Sequence, residues 1–282
     1  DSDILSNSSF SGGGIYLFKS NANVTGCKII DNQASHSGGG LFSNENHFSQ
    51  FGGFFVKNST IASNNAEEMG GGVYVNEGFS TFTDCEIVGN LLTGSDHGGG
   101  GMYTNASYIT MNNCNLMCNE SSGVGGGYLL YSTNFFCTGG TISRNLAHSG
   151  GGIYSGNGGV SAFQDVVISS NKALAESTAD GKGGGIYLGN STNDFQNCMI
   201  TGNTARGYDS LSGKGGGVYC SDASGASYKN CILSGNTSSS EFGHFLGDGS
   251  GLYIAHSSPS NSVTLERVSI CGNEVSPGGA QV

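Results

Sequence analysis

Ile or Leu followed three residues later by Asn recurs ten times along the 282 residues, and a run of glycines follows every copy but the last. The asparagines are Asn7, Asn32, Asn64, Asn90, Asn119, Asn145, Asn171, Asn203, Asn236 and Asn273. After Asn32 the run is Gly38-Gly39-Gly40, and after Asn171 it is Gly183-Gly184-Gly185. A unit this small cannot bury its own apolar face. Its copies must stack, each completing the core of the next.

Aligning the copies on their Asn exposes the strands. Three residues earlier stand Ile29, Ile61, Ile87, Leu116, Ile142, Ile168, Ile200, Leu233 and Ile270; eight earlier stand Val24, Val56, Phe82, Met111, Cys137, Phe163, Phe195, Tyr228 and Leu265. A third apolar column follows the glycines: Ile15, Leu41, Val73, Met102, Tyr128, Ile153, Ile186, Val218 and Leu252. These columns alternate with polar positions, so each copy reads as about three short strands separated by bends. Equal strands recur only once per copy. They therefore pair in parallel with their own repeats, not as hairpins. The expected fold is all-β, a right-handed parallel β-helix of about nine full coils of 25–34 residues, forming one domain over 1–282 with partial coils at 1–11 and 278–282. Those partial coils suggest a segment of a longer repeat protein, or end-to-end stacking. The glycines suit bends where φ is positive. The asparagines suit the left-handed conformation at a bend and, stacked, a ladder of amide hydrogen bonds along Asn32, Asn64, Asn90, Asn119, Asn145, Asn171, Asn203, Asn236 and Asn273.

Composition narrows the function. A net charge of −11 with ten Lys and Arg argues against nucleic acid, which requires a basic stripe. No apolar run approaches the ~20 residues of a membrane-spanning helix. No cofactor motif stands out. Gly181-Lys182-Gly183 and Gly213-Lys214-Gly215 lack the order of a phosphate loop. Five of the nine cysteines (Cys27, Cys85, Cys114, Cys198, Cys231) occupy one column shared with Ser59, Gly140, Val166 and Val268. That is a small buried slot, and unpaired thiols are expected there.

Four sets of residues are candidates for function. An aromatic column, Tyr16, Phe42, Tyr74, Tyr103, Tyr154, Tyr187, Tyr219 and Tyr253, is expected on the outer face as a platform for sugar rings or a partner rod, or as rings that stack to stabilise neighbouring coils. His36, Glu68 and His97 fall in one loop column and form a weak candidate metal stripe. Asp180 and Asp209, in the long loops of neighbouring coils, are a weak candidate acid pair. Asn23, Asn58, Asn105 and Asn190 are the better-placed glycosylation acceptors. The long stretches 172–182, 204–214 and 237–248 should gather on one edge, where solenoids usually bind. Another long loop, 43–55, lies at a different bend.

The Gly-Gly-Gly-Ile/Leu/Val and Ile-x-x-Asn pair resembles the repeats of the chlamydial polymorphic outer-membrane proteins, marked by Gly-Gly-Ala-Ile/Leu/Val and Phe-x-x-Asn. The likeness covers essentially the whole chain, with Gly where that family favours Ala and Ile or Leu where it favours Phe. It implies an adhesin-like, surface-displayed region. The combined expectation is a non-enzymatic, extracellular or cell-surface rod whose partners are itself or a host-surface or glycan ligand. The alternative is a carbohydrate-active β-helix enzyme, a polysaccharide lyase or glycoside hydrolase, and a third reading is a passive spacer.

Overall fold

The computed structural model describes residues 1–45, 53–95, 97–176, 180–208, 211–221, 224–240, 247–255 and 262–276. Among them there is no helix. The strands form three parallel sheets of seventeen, ten and nine strands, every pair joining one coil to the next. The chain is a parallel β-helix. Its nine-stranded sheet closes about eight full turns between its first and last rungs, one fewer than expected from sequence. The last coil, Asn236 to Asn273, is also longer than expected, spanning 37 residues.

One coil shows how local chemistry makes the turn. Val73–Asn76 lies in the nine-stranded sheet. The chain bends at Glu77, then runs through Phe79–Thr83 and Glu86–Val88 in the seventeen-stranded sheet, with a corner at Asp84. It bends again at Gly89, pairs through Leu91–Leu92 in the ten-stranded sheet, and returns through the glycine run, whose Gly99 is the fourth left-handed residue. Left-handed residues therefore set the corners. They precede the repeat asparagines (Asp31, Ser63, Gly89, Cys118, Arg144, Ser170, Gly202) and are not the asparagines themselves, which corrects the expectation from sequence.

What the asparagines do instead is hydrogen-bond. From Asn32 to Asn236 they are buried, and the Oδ1 of each accepts both the backbone N–H and one Nδ2–H of its predecessor. For Asn119 these bonds to Asn145 are 2.9 and 3.0 Å, and its second Nδ2–H donates to the carbonyl of Ile87 at 2.9 Å. Each amide thus repeats the backbone ladder with its side chain and ties three coils together. The inward columns form one continuous apolar core from Val24 to Leu233. In the cysteine column the thiol takes the role of the Ser59 hydroxyl. Cys85 donates to the carbonyls of Val56 and Thr83, as Ser59 does to those of Val24 and Lys57. All nine cysteines are unpaired. Cys85 and Cys114, and Cys198 and Cys231, are neighbours along this column, and their ionisation is coupled: with burial, the neighbouring sulfur holds the Cys114 and Cys198 thiols well above their ordinary range.

Candidate functional site

Because side chains alternate across a strand, residues flanking the core column of the nine-stranded sheet face outward, and the aromatic column is there. It forms two stacks broken by Leu129. Tyr16, Phe42, Tyr74 and Tyr103 stack with centroids 4.9 to 5.4 Å apart, and Tyr154, Tyr187, Tyr219 and Tyr253 with centroids 4.3 to 5.2 Å apart. The rings are nearly parallel, 3° apart for Tyr154 and Tyr187, so each covers its neighbour's face.

The expected open platform is therefore absent. Tyr16, on the first rung, is 55% exposed, but Tyr74 is 9% and Tyr103 5% exposed. Met69 and Val124 pack against the first stack and, with Leu129, close it into a second, smaller apolar cluster. Burial, with Glu77 beside it, pushes the Tyr74 phenol up to about 12, and burial also raises Tyr103, Tyr154 and Tyr187. Interior stacking between coils is the role this geometry favours in the N-terminal half.

The C-terminal half differs in what borders the ring stack. The residue before each glycine run forms a column of bridges: Ser37, Met69, then Gly98, Val124, Ser149, Lys182, Lys214 and Asp248. The closing apolar residues of the first half thus give way to lysines. Asp180, from the long stretch before Lys182, accepts from Lys214 Nζ at 2.7 Å and lies 3.8 Å from Lys182 Nζ, both contacts falling on its Oδ2. Lys182 Nζ also sits 5.5 Å from the Tyr219 ring centroid. The carboxylate of Asp180 holds the Lys214 ammonium above its ordinary range. Asp180, Lys182 and Leu211 line a groove of about 480 Å³ against the edges of Tyr154 and Tyr187, with Ser149 beside them. A second groove, of about 380 Å³, runs along the other side of the same two rings, past Asn157, Asn190 and Ser221.

The second groove exists because of a substitution not singled out from sequence. One position column carries Asn44, Asn76 and Asn105, whose amides form a second ladder at 2.8 and 2.7 Å. In register after Tyr131 it continues as Gly156 and Gly189. A Cβ at Gly189 would come 2.7 Å from a ring carbon of Tyr187, and one at Gly156 3.2 Å from Tyr154. The glycines leave room for the tyrosine edges, and the period-breaking Asn-to-Gly change in the aligned repeats is the signal that could have revealed it.

The remaining candidates fare differently. His36 Nδ1 meets Glu68 Oε2 at 2.7 Å, and the His36 ring stacks on Phe10. His97 is not brought to them, and among the described residues no group of three or more His, Cys, Asp or Glu could hold a metal. Asp209 and 278–282 lie outside the described residues, as do 46–52 of the expected 43–55 loop. Asp180 is engaged by lysines. Asn23, Asn58 and Asn190 are exposed, whereas Asn105 is half-buried and its amide donates to Asn76. No family model, curated protein or solved structure matches the chain.

Proposed function

We propose that this chain is a rigid, non-enzymatic rod of an extracellular or cell-surface protein, working through its lateral surface in adhesion or self-assembly. The observation that carries this reading is where the distinctive chemistry lies. The interior is spent on core columns and amide ladders. The lysine–aspartate cluster, Leu211 and the tyrosine edges meet along one side of the C-terminal half. Few charges and many Gly, Ser and Asn suit a protease-resistant scaffold outside the cell. The test is direct. Sedimentation velocity and negative-stain imaging should show rods that associate laterally or end to end, or labelled protein should adhere to cell surfaces. Rods that do neither would reduce the chain to a spacer. Depolymerisation of pectin, alginate or chondroitin by the pure protein would replace this reading with that of a carbohydrate-active enzyme.

A further inference from the structure

The two grooves share one ridge, the edges of Tyr154 and Tyr187, and differ in what they set beside it. On one side stand a carboxylate and two ammonium groups. Both lysine contacts fall on Oδ2 of Asp180, so neither lysine engages Oδ1. The Asp180 side chain is only 17% exposed, yet it lines the groove. Asp248, the next residue in the bridge column, also acts on Lys214. Among the described residues Lys182 and Lys214 are balanced by Asp180 and Asp248. This mixture of acceptor and donors without excess charge suits a ligand that offers hydroxyls of both kinds, not a free anion or cation. On the other side Asn157 and Asn190 hold left-handed corners of neighbouring coils, and Ser221 adds a hydroxyl. Because the ring faces are stacked on one another, only edges and phenol oxygens face the grooves. A ligand must therefore bind by hydrogen bonds along its rim, with apolar contact limited to those edges. Each groove falls in the size range of small-ligand clefts.

We infer that the C-terminal half carries a binding site for a neutral saccharide, laid along the Tyr154–Tyr187 ridge, with vicinal hydroxyls held by Asp180 and Lys182. The acceptor is Asp180 Oδ1 and the donor is Lys182 Nζ. Asn157 and Asn190 receive the part of the chain that crosses the ridge. The N-terminal half cannot do this, because its rings are buried in an apolar cluster with Met69 and Leu129, and Asn76 and Asn105 fill the strand ends. The inference names a ligand for the lateral surface of the proposed rod and in that respect rests on that reading.

Saturation-transfer NMR with the intact chain tests it. The probes are cellotetraose, maltotetraose, lacto-N-tetraose and chitotetraose, with a tetragalacturonate and a polyglutamate peptide as charged comparisons. At least one neutral tetrasaccharide should bind. Its affinity should fall tenfold or more in Asp180→Asn and in Lys182→Met, while Tyr103→Phe binds as the parent does. Unchanged circular dichroism and melting temperature show that each variant is folded. Should a variant misfold, Asn190→Ala, at an exposed corner, provides the same comparison. No binding by any neutral probe overturns the inference, as does tighter binding of tetragalacturonate or polyglutamate, or binding that survives both Asp180→Asn and Lys182→Met. The two proposals fail separately. Asp180→Asn rods that still adhere or associate leave the rod reading intact and remove only the sugar, whereas sugar binding by rods that never adhere does the reverse.

Discussion

At the scale of single residues, the amide ladder is the feature that most distinguishes this core from an ordinary apolar one. Asn119 engages the backbone and side-chain N–H of Asn90, the carbonyl of Ile87 and Oδ1 of Asn145, all buried. Replacing it with Ala leaves these partners without it in a space that water does not enter. A buried donor or acceptor left unpaired costs ~1–3 kcal/mol. Asn119→Ala should therefore destabilise the chain by about 3–6 kcal/mol in urea unfolding. Asn105→Ala, in the half-buried second ladder, should cost about 1 kcal/mol, since water can replace its partners. Equal losses for the two would show that burial does not set the value of these amides. The Asn–Gly pairing in the repeat has the same origin: a Cβ at Gly101 would come 2.9 Å from Cγ of Asn119, so the third glycine of each run is the floor on which an amide lies.

At the scale of the element, the strands and their stacking were legible because equal residues had to meet, and the columns of Ile, Phe and Gly say so directly. Ile87 pairs with Ile61 and Leu116, and Val73 with Leu41 and Met102. What was not legible is which outward residues are covered. Alternation places Tyr74 and Tyr187 on the same face, but coverage comes from the residue before the glycine run, which lies on a different part of the coil and changes from Met69 to Lys182. The lysine–aspartate cluster was hidden for the same reason, since it joins side chains 34 residues apart. The glycine run makes a sharp prediction. A Cβ at Gly100 would lie 2.3 Å from the carbonyl oxygen of Glu120, which is backbone and cannot rotate away. Gly100→Ala should cost at least about 3 kcal/mol. Gly158, by contrast, is left-handed with nothing near its Cβ, so the change there should cost only about 1–2 kcal/mol of backbone strain, and a thermal-melt series comparing the two is the check. The tyrosine stack predicts base lability. The phenols of Tyr74, Tyr103, Tyr154 and Tyr187 are raised by burial, Tyr74 to about 12 against an ordinary 10, so the folded chain holds protons that the unfolded chain gives up. Stability from this source is intact below pH ~10 and is lost as pH rises through about 12. Phenolate absorbance from the buried rings should appear only with unfolding; their ionisation near 10 in the folded chain would mean the rings are open to solvent.

For the whole molecule, the consequence of this architecture is that each coil touches only its two neighbours, so stability should be distributed as in a one-dimensional array. An interior strand such as Ile153–Gly156 is bonded on both sides, to Tyr128–Tyr131 and to Ile186–Gly189, and its amides exchange only when a neighbour lets go. The first and last rungs, Ile15–Phe18 and Leu252–Ile254, pair on one side only among the described strands. Hydrogen exchange followed by mass spectrometry should therefore show a gradient. Peptides from about 128–200 should be slowest, and those from 3–18 and 252–276 fastest, in an order that follows coil position and not hydrophobicity. The gradient should also respond to the ladder. Asn119→Ala weakens the bonds to the coils on both sides at once, so its largest increase should fall on the coils holding Ile87, Asn90 and Asn145, and fade with each coil away. If all amides instead exchanged at one common rate, the chain would be opening as a single unit, and coupling between coils would have to be far stronger than backbone pairing between nearest neighbours supplies. The contrast matters for the proposed binding edge. It lies on coils of the second half, bonded on both sides, and a site on that stretch is held by the rod's most protected region, preformed for its ligand instead of ordered by it.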